Sequence, residues 1–330
     1  MIGTLHLDRA DDDLDQHVAA AEAHLQGALE LFVQANLLDK VAEARVKLAQ
    51  LYVKAAPRVA PTMRERILDM AQQHLGEAER NCDQLRRAQS EDAVRYASLH
   101  QTSQQLYEVA LDIAIRHHDD APAAWQWAQR AKTRALIDIL EEIPGPRVRL
   151  SGVPEVTDVS QLLTPERSCV CVDWVSLGDQ LWLLTVRPGQ RPQLWPLTIT
   201  LDVVRQFVEH NLSSDSFHRT LRDIPELLNA FNALIEPLNE CTERGDLLVL
   251  SPIGALHALP LHALELDGDS LLERNPVVYS SSLSLLQDAI TRRGAHPEGA
   301  AAVFGDPHGD DPKAAGIAED IAGVLNTEAV

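Results

Sequence analysis

Between residues 14 and 142, apolar side chains recur every three to four positions, with Ala, Leu, Gln, Glu and Arg filling the rest. That period places them on one face of a helix, so the spacing predicts a run of amphipathic helices. Breaks are expected at Ala56-Pro57, Ala60-Pro61, Gln89-Ser90 and Asp119 to Pro122, where proline and N-capping residues cluster. Residues 143–167 hold Pro144, Gly145, Pro146, Gly152 and Pro154 and keep no period, which reads as a linker. From residue 168 the grain changes to short apolar runs separated by turn residues. SCVCVDWVS, LGDQ and LWLLTVRP predict a hairpin, and PQLWPLTI a third strand beside it. Helices are expected at LDVVRQFVEHNL and IPELLNAFNALIEPLNECTER, followed by strand LLVLS, strand NPVVYSS, helix LSLLQDAI, strand AAVFGDP and a last amphipathic stretch, AAGIAEDIAGVL. Strands alternating with helices imply a mainly parallel sheet covered on both faces. The expected organisation is therefore a helical domain over 1–142, a linker over 143–167 and an α/β domain over 168–330.

The helical part carries an internal interval. HLQGALELF, HLGEAERNC and AWQWAQRAK place the small residues Ala28, Ala78 and Ala128 fifty positions apart. A small side chain at a fixed place in a helix lets a partner helix approach closely, which is the logic of a stacked solenoid. The pattern resembles tetratricopeptide repeats, although the interval exceeds their usual period of about 34 residues. Such a scaffold implies a concave groove for a protein or peptide partner. Plain helical packing is the competing reading. Trp125 and Trp127 fit an aromatic ligand platform less well than packing against a neighbouring helix.

Charge removes several functions. Lysine and arginine number 29 against 49 aspartates and glutamates, a formal charge of −20 that repels a phosphate backbone and an acidic membrane surface alike. No direct nucleic-acid or membrane partner is expected. The N-terminus lacks a basic region and an apolar core of the kind that directs export, so a cytoplasmic location is expected. Cys82, Cys169, Cys171 and Cys241 are expected as reduced thiols, since Cys169 and Cys171 share one face of a strand. A structural zinc site wants four ligands, and no second pair with ligand spacing accompanies them. Phosphate-binding glycine loops, Gly-x-Ser-x-Gly elbows and His-Glu-x-x-His helices are all missing from the sequence.

The densest chemistry sits in GDLLVLSPIGALHALPLHAL, residues 245–264. A buried strand, Leu247 to Ser251, runs into a loop holding Pro252, Gly254, His257, Pro260 and His262. Open α/β sheets bind ligands beyond the carboxyl ends of their strands, which is where this loop begins. His257 and His262 are too irregularly spaced for a metal pair. A rigid exit from the strand suits the proline and glycine content better than a catalytic loop does. Asp306, after AAVFG, occupies a comparable place; it would suit a basic substrate side chain, though a turn-forming Asp-Pro is the simpler reading.

The stretch LLVLSPIGALHALPLHALELDGDSLLERNPVVYSSSLSLLQ resembles the start of the CHAT domain, a caspase-like peptidase module associated with tetratricopeptide repeats. The matching positions are Pro252, Gly254, Leu256, His257, Leu259, Pro260, Tyr279 and Ser282, with AAVFGDP similar to the family's second core strand. WAQRAKTRALIDIL, residues 127–140, resembles the helix joining repeats to peptidase in such proteins, and CVCVDWVSLGDQLWLLTV a small sheet ahead of the core. The resemblance implies N-terminal TPR-like helical repeats followed by a caspase-like α/β domain. It implies a cysteine endopeptidase, regulated by a partner on the repeats, that attacks a peptide carbonyl with a histidine-activated thiolate. No cofactor or metal is implied. In the family the histidine sits in a His-Gly pair that closes a third core strand and the cysteine closes a fourth, and no counterpart of either is expected after Phe304. Val330 is reached before either, so this chain is expected to lack the dyad, to have no catalytic residue of its own and to be inactive alone. Residues Pro252, Gly254, His257, Pro260 and Asp306 are the expected pocket loop, and a peptide substrate is expected once the domain is completed. A non-enzymatic repeat scaffold, or half of a split assembly, is the alternative.

Overall fold

The computed structural model describes residues 14–87, 93–142, 168–212, 227–283 and 286–287. The chain divides into two compact units, Met1–Leu286 and Gln287–Val330, and every element below belongs to the first. The expected linker over 143–167 and the strand AAVFGDP lie outside the described residues.

The helical part consists of α1 (Leu14–Gln34), α2 (Leu38–Ala55), α3 (Pro61–Arg87), α4 (Ala93–Asp112) and α5 (Ala121–Glu142). Its breaks follow from the sequence. Asn36 adopts a left-handed φ of 54° after α1, a conformation asparagine tolerates better than most residues. A 3-10 turn at Ala56–Arg58 carries Pro57, whose missing N–H cannot continue α2, and Pro61 opens α3 where no donor is needed. Arg64 Nε donates to the Ala56 carbonyl at 2.9 Å and so satisfies that turn. α4 widens into a π turn, Ile113–His117, before Asp120 caps α5 through the Ala123 amide. Helix α2 packs against α1, α3 and α4, and its buried residues run almost all round it, from Val41 to Ala55. Ala78 and Ala128 are fully buried at the expected close approaches, whereas Ala28 is half-buried on the outermost helix.

The strands are β1 (Cys169–Leu177), β2 (Gln180–Val186), β3 (Gln193–Thr200), β4 (Leu247–Ser251) and β7 (Val277–Tyr279), with a short hairpin of β5 (Glu265–Leu266) and β6 (Asp269–Ser270) beside them. They form one sheet in the order β3-β2-β1-β4-β7. β1, β4 and β7 are parallel, while β2 and β3 are antiparallel additions, so the sheet is mixed and not mainly parallel. The hairpin does not form a small sheet ahead of the core either. β1 pairs with β4 over Cys169↔Leu247 to Asp173↔Ser251, because both its faces are apolar and a strand of that kind belongs in the middle. The turn between β1 and β2 rests on Gly178 at φ 60°.

Period two sorts the sheet into two cores. Val170, Val172, Trp174, Leu181, Leu183, Leu248 and Leu250 face Leu228, Phe231, Leu234 and the loop leucines after β4. Cys169, Cys171, Val175, Leu184 and Val249 face the other way, onto Leu111, Ile115, Ala124, Trp125 and Ala128 of α4 and α5. Helices and sheet therefore share a core. α6 (Leu201–Asn211) lies on the first face, N-capped by Thr200. IPELLNAFNALIEPLNECTER does not form the single helix its spacing suggests. A 3-10 segment, Asn229–Leu234, gives way to one short turn, α7 (Leu238–Cys241), because Pro237 cannot donate to the preceding turn. A second short turn, α8 (Leu271–Arg274), carries a capping box between Ser270 and Glu273.

Two histidines are buried enough to resist charging. Burial is the largest cause that lowers His74 and His117 below the ordinary 6.5. The folded state then binds fewer protons than the unfolded one as the pH falls past 6.5, and the stability present above that pH is progressively lost. Urea midpoints measured at pH 7.5 and 5.5 are expected to fall on acidification, and His74→Gln is expected to reduce that fall. An equal fall in the variant would contradict the assignment to His74.

Candidate functional site

The loop after β4 is anchored by its leucines. Leu256, Leu259, Leu261 and Leu264 are all buried, while His257 and Ala258 face solvent. Gly254 takes φ 48°, a conformation that favours glycine, and opens a 3-10 turn, Gly254–Ala258. Pro260 precedes a second such turn, Leu261–Ala263. His262 Nδ1 lies 3.0 Å from the Tyr279 hydroxyl, and its backbone N–H donates to the same oxygen at 3.1 Å. The structure thus brings Pro252, Gly254, His257 and Pro260 together on one pinned exit from β4, and ties that exit to the end of β7. Asp306 lies outside the described residues.

What the sequence reading missed is the polar group beneath this exit. Asp173 occupies an odd position in β1, so it points with Cys171 and Val175 toward α5. Its register partner across the parallel pair is Ser251, the last residue of β4. Lys132 stands seven residues after Trp125 on α5, on the same helix face, and reaches both. Its ammonium donates to an Asp173 carboxylate oxygen, to the Ser251 carbonyl at 2.6 Å and to Ser251 Oγ at 2.9 Å. Gln129 Nε2 donates to the other Asp173 oxygen, and its own Oε1 accepts from the Leu283 amide at 3.2 Å. The Lys132 side chain is 10% exposed and Asp173 is wholly buried. Burial pushes Asp173 up and Lys132 down, each held back by the other's charge. His257 is depressed first by burial and then by the Lys132 charge.

The signal was present in CVCVDWVS, where a single carboxylate interrupts a strand otherwise apolar on both faces. A buried charge of that kind requires a partner. Trp125, Ala128, Gln129 and Lys132 form the helix stripe that supplies it.

Nucleophilic chemistry is poorly served by the described residues. All four cysteines are buried. Burial is the main cause that raises the Cys82 and Cys241 thiols, and the Cys171 thiol is raised by its hydrogen bond to Cys169 and then by burial. A thiol held up in this way supplies little thiolate. Among the described residues no group of three or more His, Cys, Asp or Glu side chains is placed to hold a metal ion. No helix among them is long and apolar enough to cross a membrane.

A cleft of about 680 Å³ opens elsewhere, against the π turn, lined by Glu65, His117, His118, Asp120, Arg191 and Pro192. Its histidines are half-buried, and His118 Nδ1 lies 3.4 Å from Gln72 Nε2. Its walls are polar and hold no strand residue, so the carboxyl end of β4 remains the stronger candidate.

One expectation needs correction from the sequence itself. A His-Gly pair does follow Phe304, as His308-Gly309, two residues beyond Asp306. It follows AAVFG, the stretch expected as a strand, and lies outside the described residues. No cysteine follows Cys241.

Residues 225–327 match the CHAT domain family. The matched span takes in the 3-10 segment, β4, its exit loop and β7, whereas Asp173 and Lys132 precede it. No curated protein matches the chain.

Proposed function

We propose that this CHAT domain protein, whose matched module is caspase-like and peptidase-related, serves as a helical scaffold that presents and controls the sheet end of that module. A peptide or protein partner bound by the TPR-like helices regulates a cysteine endopeptidase cleft walled by Pro252, Gly254, His257 and Pro260. The observation that supports this reading most is the grip of α5 on the last residue of β4, because it joins the helices to the first matched strand. The domain division proposed is helices over 1–142, a linker over 143–167 and the CHAT part from 168, acting in the cytoplasm.

The buried thiols favour a further restriction. The 330-residue chain by itself hydrolyses no peptide through a thiolate and acts as a scaffold, or as one part of a split enzyme. Purified chain incubated with an unstructured protein substrate is expected to leave it intact, with or without iodoacetamide. Cleavage that alkylation abolishes would overturn the restriction and make one of these four cysteines a nucleophile. Cleavage that appears only when a cysteine-bearing C-terminal segment is supplied would support the split reading.

A further inference from the structure

The cluster of Gln129, Lys132, Asp173 and Ser251 is more specific than glue between two layers. A buried ion pair is weak evidence for stability, because desolvation offsets most of its attraction, so its retention calls for another reason. Lys132 has three protons and three acceptors, which leaves its ammonium no alternative partner. One acceptor is the backbone carbonyl of Ser251, so the lysine fixes the peptide plane through which the chain turns into Pro252 and the exit loop. Ser251 Oγ continues the chain of contacts to the Ser281 carbonyl at 3.5 Å, and Gln129 continues it to Leu283. Both ends of the parallel pair β4 and β7 are therefore referred to one helix.

The other side of that helix is held by the helical array. Arg130 pairs with Glu79 at 3.3 Å and Arg134 with Asp83 at 2.7 Å, both on α3. Residues 129 and 132 thus face the sheet while 130 and 134 face α3, as a period of 3.6 requires. α5 sits between the repeats and the strand ends with ionic contacts on each side.

We infer that Lys132 is a positioning residue that transmits the placement of α5 against α3 to the exit loop, residues 252–264. A partner that shifts α3 relative to α5 changes the aim of the Ser251 carbonyl, and with it the order of the loop that walls the cleft. This deepens the reading given above by naming the route from helices to CHAT domain. It is tested through backbone exchange and not through cleavage, so its failure is distinguishable from failure of the peptidase reading.

The experiment is a cycle of variants of the full chain, followed by amide hydrogen exchange and mass spectrometry. Arg130→Ala with Arg134→Ala frees α5 from α3 without touching a sheet residue. In the otherwise native chain, these replacements are expected to lower protection of amides in 253–264 about tenfold. In a background of Lys132→Met with Asp173→Leu, the same replacements are expected to produce no further loss. Unchanged loop protection in the first case, or an equal factor in both backgrounds, overturns the inference. If the Lys132/Asp173 background does not fold, Lys132→Gln with Asp173→Asn replaces it, removing both charges and the ammonium from which the Ser251 carbonyl accepts. A smaller factor there supports the route, and an undiminished one overturns it.

Discussion

Lys132→Met is expected to destabilise the protein by about 3–5 kcal/mol, the usual cost of removing one partner from a buried ion pair. The methionine fills nearly the same space, so the loss comes from Asp173, left wholly buried with only Gln129 to oppose its charge. The Ser251 carbonyl and hydroxyl lose their donor at the same time. Adding Asp173→Leu removes the orphaned carboxylate, and the double variant is expected to recover at least about 1 kcal/mol over the single one. Full recovery is not expected, since Gln129 Nε2 then lacks its acceptor. Urea unfolding with an unchanged slope decides the matter. A double variant no more stable than Lys132→Met would mean that the buried charge is not what the lysine neutralises.

Trp125→Ala is expected to cost about 3–5 kcal/mol, the range for truncating a large buried aromatic side chain. Trp125 is 1% exposed and stands in the core that α4 and α5 share with β1, β2 and β4. Its loss removes the largest side chain holding the two layers together, so helices and sheet are expected to unfold in separable steps instead of one. Trp125→Phe provides the contrast. The indole N–H finds no hydrogen-bond partner among the described residues, so the ring can lose its nitrogen without orphaning an acceptor. That variant is expected to cost less than about 2 kcal/mol and to keep a single transition. Coincident unfolding curves from helical and aromatic signals, recorded for both variants, test the pair of expectations. A single cooperative transition in Trp125→Ala would show that the layers are joined chiefly by something other than this core.

Much of this fold can be read from residue order. The strands LLVLS and the hairpin around Gly178 stand where turn residues and apolar runs place them, and the helix breaks at Pro57, Pro61 and Asp120 follow from local chemistry. Local patterns were less informative where tertiary pairing decides. Nothing within SCVCVDWVS states which strand it joins; that both faces are apolar limits it to the middle of a sheet, but its neighbour β4 lies far along the chain. IPELLNAFNALIEPLNECTER keeps helical spacing because its leucines reach the core from 3-10 turns as well as from an α-helix. The exit loop was legible through its glycine and prolines. The cluster beneath it was not, because Lys132, Asp173 and Ser251 come from three elements, and only the sheet register brings the last two side by side.

The central place of β1 bears on how the molecule is made. Its parallel partner β4 is buried almost throughout, and it is the first strand of the matched span. During synthesis the helices, β1, β2 and β3 leave the ribosome before β4 does, so β4 emerges when the strand it pairs with is already made. A piece cut to the matched boundaries, 225–327, would lack that template. It would expose the β1-facing edge of β4, a row of unpaired backbone N–H and C=O groups flanked by apolar side chains and open to any other chain. The family match therefore begins after the strand with which β4 pairs, and the helix that carries Lys132 precedes both.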